Sequence, residues 1–530
     1  MLHMRAIRVN ERIVFPRLLL FSVILSLACT GCSSPSSDDQ LAEDTETATL
    51  DTEDTETTID SETTEDTETE TGEVSEKPKN IVIIIIDDYG VLSADSYKED
   101  WYQAGNTPTL GSTPTVNKIC SMGVRFKDAW SNPTCSPTRA NILTGRHGFR
   151  TGIGQPCVSG SNEIRPDEPT LPRVIEAAGK GHALGSIGKW HLGTGDDIGG
   201  LSAPNFMGWQ YYAGSVGGGL GDYFSWTRTE NGVSENTTTY APLQNIEDMN
   251  TWMATLIENQ PYLLWVGFNA PHVPIHLPPS DMHSLTNLDG TDIETNPRRY
   301  FNAMVESVDT AISYVLNTLV EREGMDEYGF PNETLIIVLG DNGTQNAGQT
   351  KYLPEQFSSI PGKGSILEHG NRVPFCIAGT GVVNSGRTVD EMVHVADIYS
   401  TVLDEFEIAK PDDGFTRDSV SLSPYIHDVP HDNIRSFLFT EQFFSQETNL
   451  STGVAIKNKI AKLVRYEEDG SVTPDECFSA KTGFDVPSTD SSLTQIEAED
   501  VESHCSELDS ALRVLVCHDD SYWQNQTWCQ

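Results

Sequence analysis

Asn80-Ile81-Val82-Ile83-Ile84-Ile85-Ile86-Asp87-Asp88-Tyr89-Gly90 is the stretch on which the fold turns. Six β-branched residues in succession, with no polar alternation, predict a strand buried on both faces. The run stops at two carboxylates. The same pattern recurs along the chain: His182 to Gly188 leads into Lys189-Trp190-His191, and Tyr262 to Phe268 into Asn269-Ala270-Pro271-His272. Leu335 to Leu339 leads into Gly340-Asp341-Asn342-Gly343. Helical periodicity lies between, over Leu171 to Ala178 and Tyr300 to Arg322. Strand and helix in alternation predict an α/β fold, a large mostly parallel sheet with helices on both faces. Ligands bind such sheets beyond the carboxyl ends of the strands. Four strand ends therefore deliver Asp, Lys, His and Asn side chains to one edge.

Taken singly, each group is a weak signal. An acidic pair after a strand is commonly a solvated turn, and Asp341-Asn342-Gly343 is a good turn sequence. A lone histidine such as His191 or His272 is more often structural. Their joint placement at strand ends is what points to an active site.

Thr134-Cys135-Ser136-Pro137-Thr138-Arg139-Ala140-Asn141-Ile142-Leu143-Thr144-Gly145-Arg146 reads as a loop entering a helix. Ser136 suits the N-cap, Pro137 the first helical position and Gly145 the stop. Cys135 then sits at the positive end of the helix with Arg139 one turn further on, a setting that attracts an anion. Two other readings stay open: a structural or disulfide cysteine, and a thiolate nucleophile activated by the helix end.

Cys135-Ser136-Pro137-Thr138-Arg139 resembles the signature of the formylglycine-dependent sulfatases, and Gly188-Lys189-Trp190-His191-Leu192-Gly193 resembles that family's second signature. Asp87-Asp88, Ala270-Pro271-His272-Val273-Pro274, Asp341-Asn342-Gly343 and Gly362-Lys363-Gly364 fall in the family's order. Met304 to Asp309 and His394 to Tyr399 match more weakly, and the resemblance runs from about Lys79 to Leu403. Glu368-His369-Gly370 departs from it, since the family usually has two glycines there.

The resemblance implies an alkaline-phosphatase-like fold and hydrolysis of sulfate esters. It implies that a formylglycine-generating enzyme oxidises Cys135 to formylglycine. Asp87, Asp88, Asp341 and Asn342, with the modified Cys135, would form an all-oxygen metal site. Such hard ligands suit Ca²⁺, or alternatively Mg²⁺. Arg139 and Lys189 would hold the aldehyde hydrate, Lys363 would pair with sulfate oxygens, His272 would serve the leaving oxygen and His191 would act as base. The expected substrate is a sulfated polysaccharide or glycan fragment, or an aryl sulfate. Two readings compete with this one: a phosphonate or phosphodiester hydrolase of the same superfold, and a catalytically dead, surface-tethered binding lipoprotein. A zinc phosphatase would need more His and Asp ligands and a Ser or Thr nucleophile. The Gly-rich segment from Gly193 to Trp226 holds Trp209, Tyr211, Tyr212 and Trp226, which read first as core anchors and second as rings that stack on sugars.

Outward from this body the chain changes character. Arg5, Arg8, Arg12 and Arg17 precede an apolar run from Leu18 to Ala28, followed by Cys29-Thr30-Gly31-Cys32. Residues 1–32 read as an export signal with a lipoprotein cysteine, Cys32 or else Cys29. Anchoring would then be by lipid alone, at the cell envelope, with simple secretion the alternative. Residues 33–76 read as an acidic Thr/Glu/Asp tether, whose residues 38–76 hold 17 acidic side chains and no Lys or Arg. Residues 77–430 read as the catalytic domain. Residues 431–530, which the resemblance implies form a smaller α+β subdomain, hold Cys477, Cys505, Cys517 and Cys529, expected to make two disulfides of unassigned pairing. Of Cys120, Cys157 and Cys376, two are free to pair. The 530 residues carry 78 Asp+Glu against 34 Lys+Arg, a formal charge of −44. That balance excludes a nucleic-acid binder, which needs clustered Lys and Arg.

Overall fold

A computed structural model describes residues 76–102, 108–158, 162–347, 350–443, 452–468, 471–472, 475–480, 485–487, 495–518 and 521–529. The expected export signal and almost all of the tether lie outside the described residues. No helix among the described residues is long and apolar enough to cross a membrane.

β1 (Asn80–Ile86) is buried along its whole length. Its alternate side chains enter two different cores, as a doubly covered strand requires. Val82, Ile84 and Ile86 pack in the core that holds Met304, Val308 and Ile312 of the helix Pro297–Glu323. Ile81, Ile83 and Ile85 pack in the core that holds Ala140, Ile142 and Leu143 of the helix Cys135–Thr144.

The first eight strands continue with β2 (Val124–Trp130), β3 (Ala183–Gly188), β4 (Tyr211–Gly214), β5 (Trp226–Glu230), β6 (Val233–Thr237), β7 (Tyr262–Gly267) and β8 (Thr334–Gly340). β9 (Asn346–Ala347) and β10 (Thr350–Lys351) form a short separate ribbon, and β11 (Phe375–Gly379) and β12 (Arg387–His394) rejoin the main sheet. The ten-stranded order is β12-β2-β11-β8-β1-β7-β3-β4-β5-β6. β8, β1, β7, β3 and β4 run parallel, while β11 lies antiparallel to both its neighbours and β5 and β6 close the edge antiparallel. The α/β reading holds, with more antiparallel pairing than strand–helix alternation suggests. The helices expected over 171–178 and 300–322 run Leu171–Ala177 and Pro297–Glu323. Pro297 starts the longer one, where a missing N–H costs nothing.

A second sheet contains β13 (Leu438–Gln442), β14 (Thr452–Lys457), β15 (Ala461–Glu468), β16 (Ser471–Val472), β17 (Glu476–Ser479) and β18 (Val486–Pro487), all pairs antiparallel. Val501, Leu508 and Leu512 of the helix Gln495–Val516 share a core with its Val454, Ile456 and Leu463. Disulfides join Cys120 to Cys376, Cys477 to Cys505 and Cys517 to Cys529, leaving Cys135 and Cys157 as thiols among the described residues. The weakly matching Glu306 and Asp309 are structural here. Asp309 accepts from the Thr115 and Val116 amides at the start of the helix Pro114–Met122, and Glu306 accepts from the Ser112 amide just before it.

Glu441 on β13 is fully buried, accepting from the Phe149 amide and the Trp523 indole at 2.7 Å each. Burial pushes its pKa up to about 8. The folded state therefore keeps a proton that the unfolded chain gives up near pH 4.3. This contribution to stability is complete below the unfolded pKa and is lost as pH rises toward 8, at roughly 1.4 kcal/mol per unit. Thermal denaturation between pH 5 and pH 8 should show a falling midpoint, and Glu441→Gln should flatten the slope. An unchanged slope in the variant would refute the assignment.

Candidate active site

The register that aligns Ile86 with Gly340 sets Asp87 beside Asp341 at the carboxyl edge. Asp88 follows in a left-handed conformation (φ 58°), which short polar side chains tolerate. Its amide donates to Asp341 Oδ1 at 3.0 Å, and Asn342 Nδ2 donates to Asp88 Oδ1 at 2.8 Å. All four side chains are buried.

Cys135 opens its helix, with Thr134 rather than Ser136 at the N-cap position and no side-chain cap bond. Ser136 lies inside the first turn instead, where its hydroxyl donates to the His191 carbonyl at 2.7 Å and accepts from the Cys157 amide at 2.9 Å. Sequence reasoning placed this hydroxyl as a cap, but the turn that follows β3 competes for it and wins. Pro137 accordingly sits deeper in the first turn, where amides have no intrahelical acceptor to lose. Gly145 ends the helix with φ 68°, as expected.

Three cations meet the three carboxylates. Arg139 donates to Asp341 Oδ2 at 2.9 Å and to the Lys189 carbonyl at 2.9 Å. Lys189 Nζ lies 2.5 Å from Asp87 Oδ2, and Lys363 Nζ lies 2.6 Å from Asp88 Oδ1. Cys135 Sγ is 3.1 Å from His191 Nδ1, and His272 Nε2 is 4.0 Å from Asp88 Oδ2. All ten residues singled out from the sequence thus converge on one edge of the sheet.

Burial, with Asp341 adding to it, pushes the Asp87 carboxyl well above the usual range. Burial would raise Asp88 too, but Lys363 and His272 outweigh it and hold that carboxyl low. Burial also opposes the charge on Lys363, yet Asp88 keeps it protonated. Burial, then Lys189 and Arg139, drive His191 far below its ordinary value, so its imidazole is neutral. Burial brings His272 to about 4 against the pull of Asp88. Its Nδ1 donates to the Val273 carbonyl at 2.8 Å, which leaves Nε2 as the atom facing the site.

Asp87 Oδ1, Asp88 Oδ2 and Asn342 Oδ1 are buried without a hydrogen-bond partner. Orphaned acceptors at this depth are costly. Asp87, Cys135 and Asp341 also offer ligand atoms lying within 4.8 Å of one another. Such an oxygen-rich set fits a hard divalent cation. With three carboxylates already matched by Arg139, Lys189 and Lys363, a divalent ion would make the pocket net positive, suited to an anionic substrate.

What covers the histidines has only a faint signature along the chain. A Cβ on Gly218 would stand 2.2 Å from His191 Nε2, and one on Gly219 would stand 3.2 Å from His272 Cε1. The three successive glycines at 217–219 were the available signal. Tyr223 braces the same wall, donating to the Asn269 and His272 carbonyls at 2.7 Å each. Trp209, Tyr212 and Trp226 are buried as anchors, and Tyr211 is half-buried against Glu230. Phe206 and Phe224 are the exposed rings among the described residues of this segment, Phe224 stacked on Tyr240 at 5.0 Å.

A family model described as Sulfatase matches residues 79–408. Arylsulfatase J of Mus musculus is 26% identical over 350 residues, covering 63% of this chain and 53% of that protein. The chain thus spans about half the length of that relative. Ps i-CgsB, solved with k-i-k-neocarrahexaose, superposes with a TM-score of 0.65 at 21% identity, over 83% of this chain and 93% of its own. A second structure, solved with its substrate D-glucosamine-2-N,6-O-disulfate, gives 0.60 at 17% identity over 82% and 98%. At these identities the two structures speak for the fold alone.

Proposed function

The chain belongs to the sulfatase family, and we propose that it hydrolyses sulfate esters of polysaccharide or glycan fragments by breaking the S–O bond. The observation that carries this is the position of Cys135 at a helix start, within ligand distance of Asp87 and Asp341 and 3.1 Å from a neutral His191. Cys135 oxidised to formylglycine supplies, as its hydrate, one hydroxyl to attack sulfur and a second whose deprotonation expels sulfate. Asp87, Asp88, Asp341, Asn342 and residue 135 would hold a divalent ion, Ca²⁺ or alternatively Mg²⁺, whose positive charge would acidify the hydroxyl that attacks sulfur.

The remaining work falls to the chain's own side chains. Lys363 binds sulfate oxygens while remaining paired to Asp88. Arg139 and Lys189 fix Asp341 and Asp87 and hold the residue-135 oxygens. His191 Nδ1, already neutral, takes the proton from the second hydroxyl. His272 faces the leaving oxygen through Nε2, and the bound anionic substrate favours its protonated form. Two proteins of the same fold were solved with carbohydrates, one of them a glucosamine disulfate, which makes a sulfated glycan the reading to test before a simple aryl sulfate. Residues 77–430 would form the catalytic unit and 431–530 the part that closes the pocket, held at the envelope by a lipid on Cys32.

Mass spectrometry of the peptide spanning Cys135, from the native host, tests the reading. Loss of hydrogen sulfide with gain of oxygen is the expected result, and an intact thiol in active protein would overturn it. His272→Ala should cost alkyl sulfates about 100-fold in kcat but activated aryl sulfates only a few-fold, because a good leaving group needs no proton. Equal losses on both would remove His272 from that role.

A further inference from the structure

The opposite end of the Cys135 helix opens onto a second polar cleft. That helix has ten residues, so about 15 Å of rise separates its start from the Gly145 stop. Just beyond it a cavity of about 530 Å³ is lined by Arg146, Arg150, Arg165, Asp167, Phe415, Thr416 and His518. Three guanidiniums gathered in a chain of net charge −44 run against the molecule's average.

The pairing of those charges is incomplete. Glu168, fully buried, takes both Arg146 Nη1 (2.9 and 3.1 Å) and Arg165 Nη2 (2.6 Å). Asp418 takes Arg150 Nε at 2.9 and 3.0 Å, and Arg150 Nη1 reaches His518 Nε2 at 3.2 Å. Two well-placed carboxylates thus serve three guanidiniums. Asp167 lies 3.7 Å from Arg165 Nε, with 70% of its side chain exposed. Arg146 is itself buried, and its Nε has no hydrogen-bond partner. Burial lowers the pKa of Arg146; Glu168 and Asp418 oppose that, and Arg165 and Arg150 add to it. The face of Phe415 lies 4.8 Å from the Arg146 guanidinium carbon.

We propose that this cleft is a second binding site, separate from Cys135, that holds a sulfated sugar residue. Guanidinium forks match the oxygen geometry of a sulfate group. The volume falls in the range of small-molecule sites and exceeds what a bare ion fills, and the Phe415 ring adds an apolar wall. His518 comes from the segment after the helix Gln495–Val516, so the cleft lies between the two sheets' surroundings, where ligand sites commonly form. The choice of sulfate as the anion rests on the sulfatase reading. The cleft's capacity to bind an oxyanion does not.

The test is calorimetric titration of a full-length Cys135→Ala protein, which cannot turn over, with glucosamine 6-sulfate, glucosamine and inorganic sulfate. Two variants address the cleft in that background. Arg165→Gln alters a side chain that is 45% exposed, and Thr416→Glu adds a competing carboxylate at an exposed position while leaving every arginine pair intact. Glucosamine 6-sulfate should bind two sites per chain, one of them weakened about tenfold by either variant, the worth of one charge-assisted contact. Isotherms that neither variant changes would overturn the site. Inorganic sulfate bound there as tightly as the sugar sulfate, or unsulfated glucosamine bound equally well, would overturn the sugar-sulfate assignment. Hydrolysis is not read in this experiment, so failure of the sulfatase reading would show separately, as an intact Cys135 thiol in active native protein.

Discussion

Cys135→Ala should reduce multiple-turnover hydrolysis of any sulfate ester to background, a loss of 10⁴-fold or more, on the order of removing an enzyme's nucleophile. The fold should survive, because the substitution removes one sulfur from a helix held in the core through Ala140, Ile142 and Leu143. Cys135→Ser separates the mechanisms more sharply. A serine hydroxyl in the same place, still beside His191 and the three cations, can attack sulfur once. The ester so formed has no second hydroxyl to expel sulfate, so the variant should accumulate one SO₃ unit per chain by intact mass and then stop. Sustained turnover by the serine variant, in a host that processes only cysteine, would mean that the aldehyde is not needed. A thiolate mechanism predicts the reverse order: active protein with an unmodified Cys135, and steady inhibition by thiol reagents.

The readable part of the site is the part encoded locally. Asp87, Asp88, Lys189, His191, His272, Asp341 and Asn342 follow their strands within a few residues, so a β-branched run ending at Asp87-Asp88, or Ala183–Gly188 ending at Lys189-Trp190-His191, places its side chain at the sheet edge from chain order alone. Lys363 lies on a loop and is placed through resemblance, since neither period nor spacing locates a loop side chain. Partnerships made at long range were hidden. Ser136 was read as a cap because its neighbours look like a helix start, whereas its actual partner, the His191 carbonyl, is 55 residues away. Disulfide pairing stayed open for the same reason, as Cys120 and Cys376 are 256 residues apart. The antiparallel insertion of β11 between β2 and β8 has no local signature either.

Glu368 opens the segment Glu368-His369-Gly370 that departs from the family pattern, and its loss should be costly. The segment forms a short helix, Glu368–Asn371, between the two sheets. The Glu368 carboxylate accepts from the Trp130 indole at 3.1 Å and from Lys457 at 3.1 Å, and pairs with Arg372 at 2.8 Å and Lys462 at 3.7 Å. Both lysines also lie over the Trp130 ring, at 4.9 and 5.0 Å. Asp128 and Asp485 complete the network, so three cations face three carboxylates. Burial alone would neutralise Glu368, and Arg372 and the two lysines hold it ionised. Glu368→Ala leaves Arg372, Lys457 and Lys462, all buried, with two carboxylates between them. Stranding a buried charge in this way costs about 3–5 kcal/mol, a large share of the stability of an ordinary domain. Urea denaturation should show that loss. Removing a cation as well, in Glu368→Gln/Lys457→Met, should cost less than the two single changes added together, because the pair leaves no uncompensated charge between its members. A strictly additive double variant, or a Glu368→Ala loss below about 1 kcal/mol, would mean that the network is solvated and holds the two sheets together no better than a surface pair.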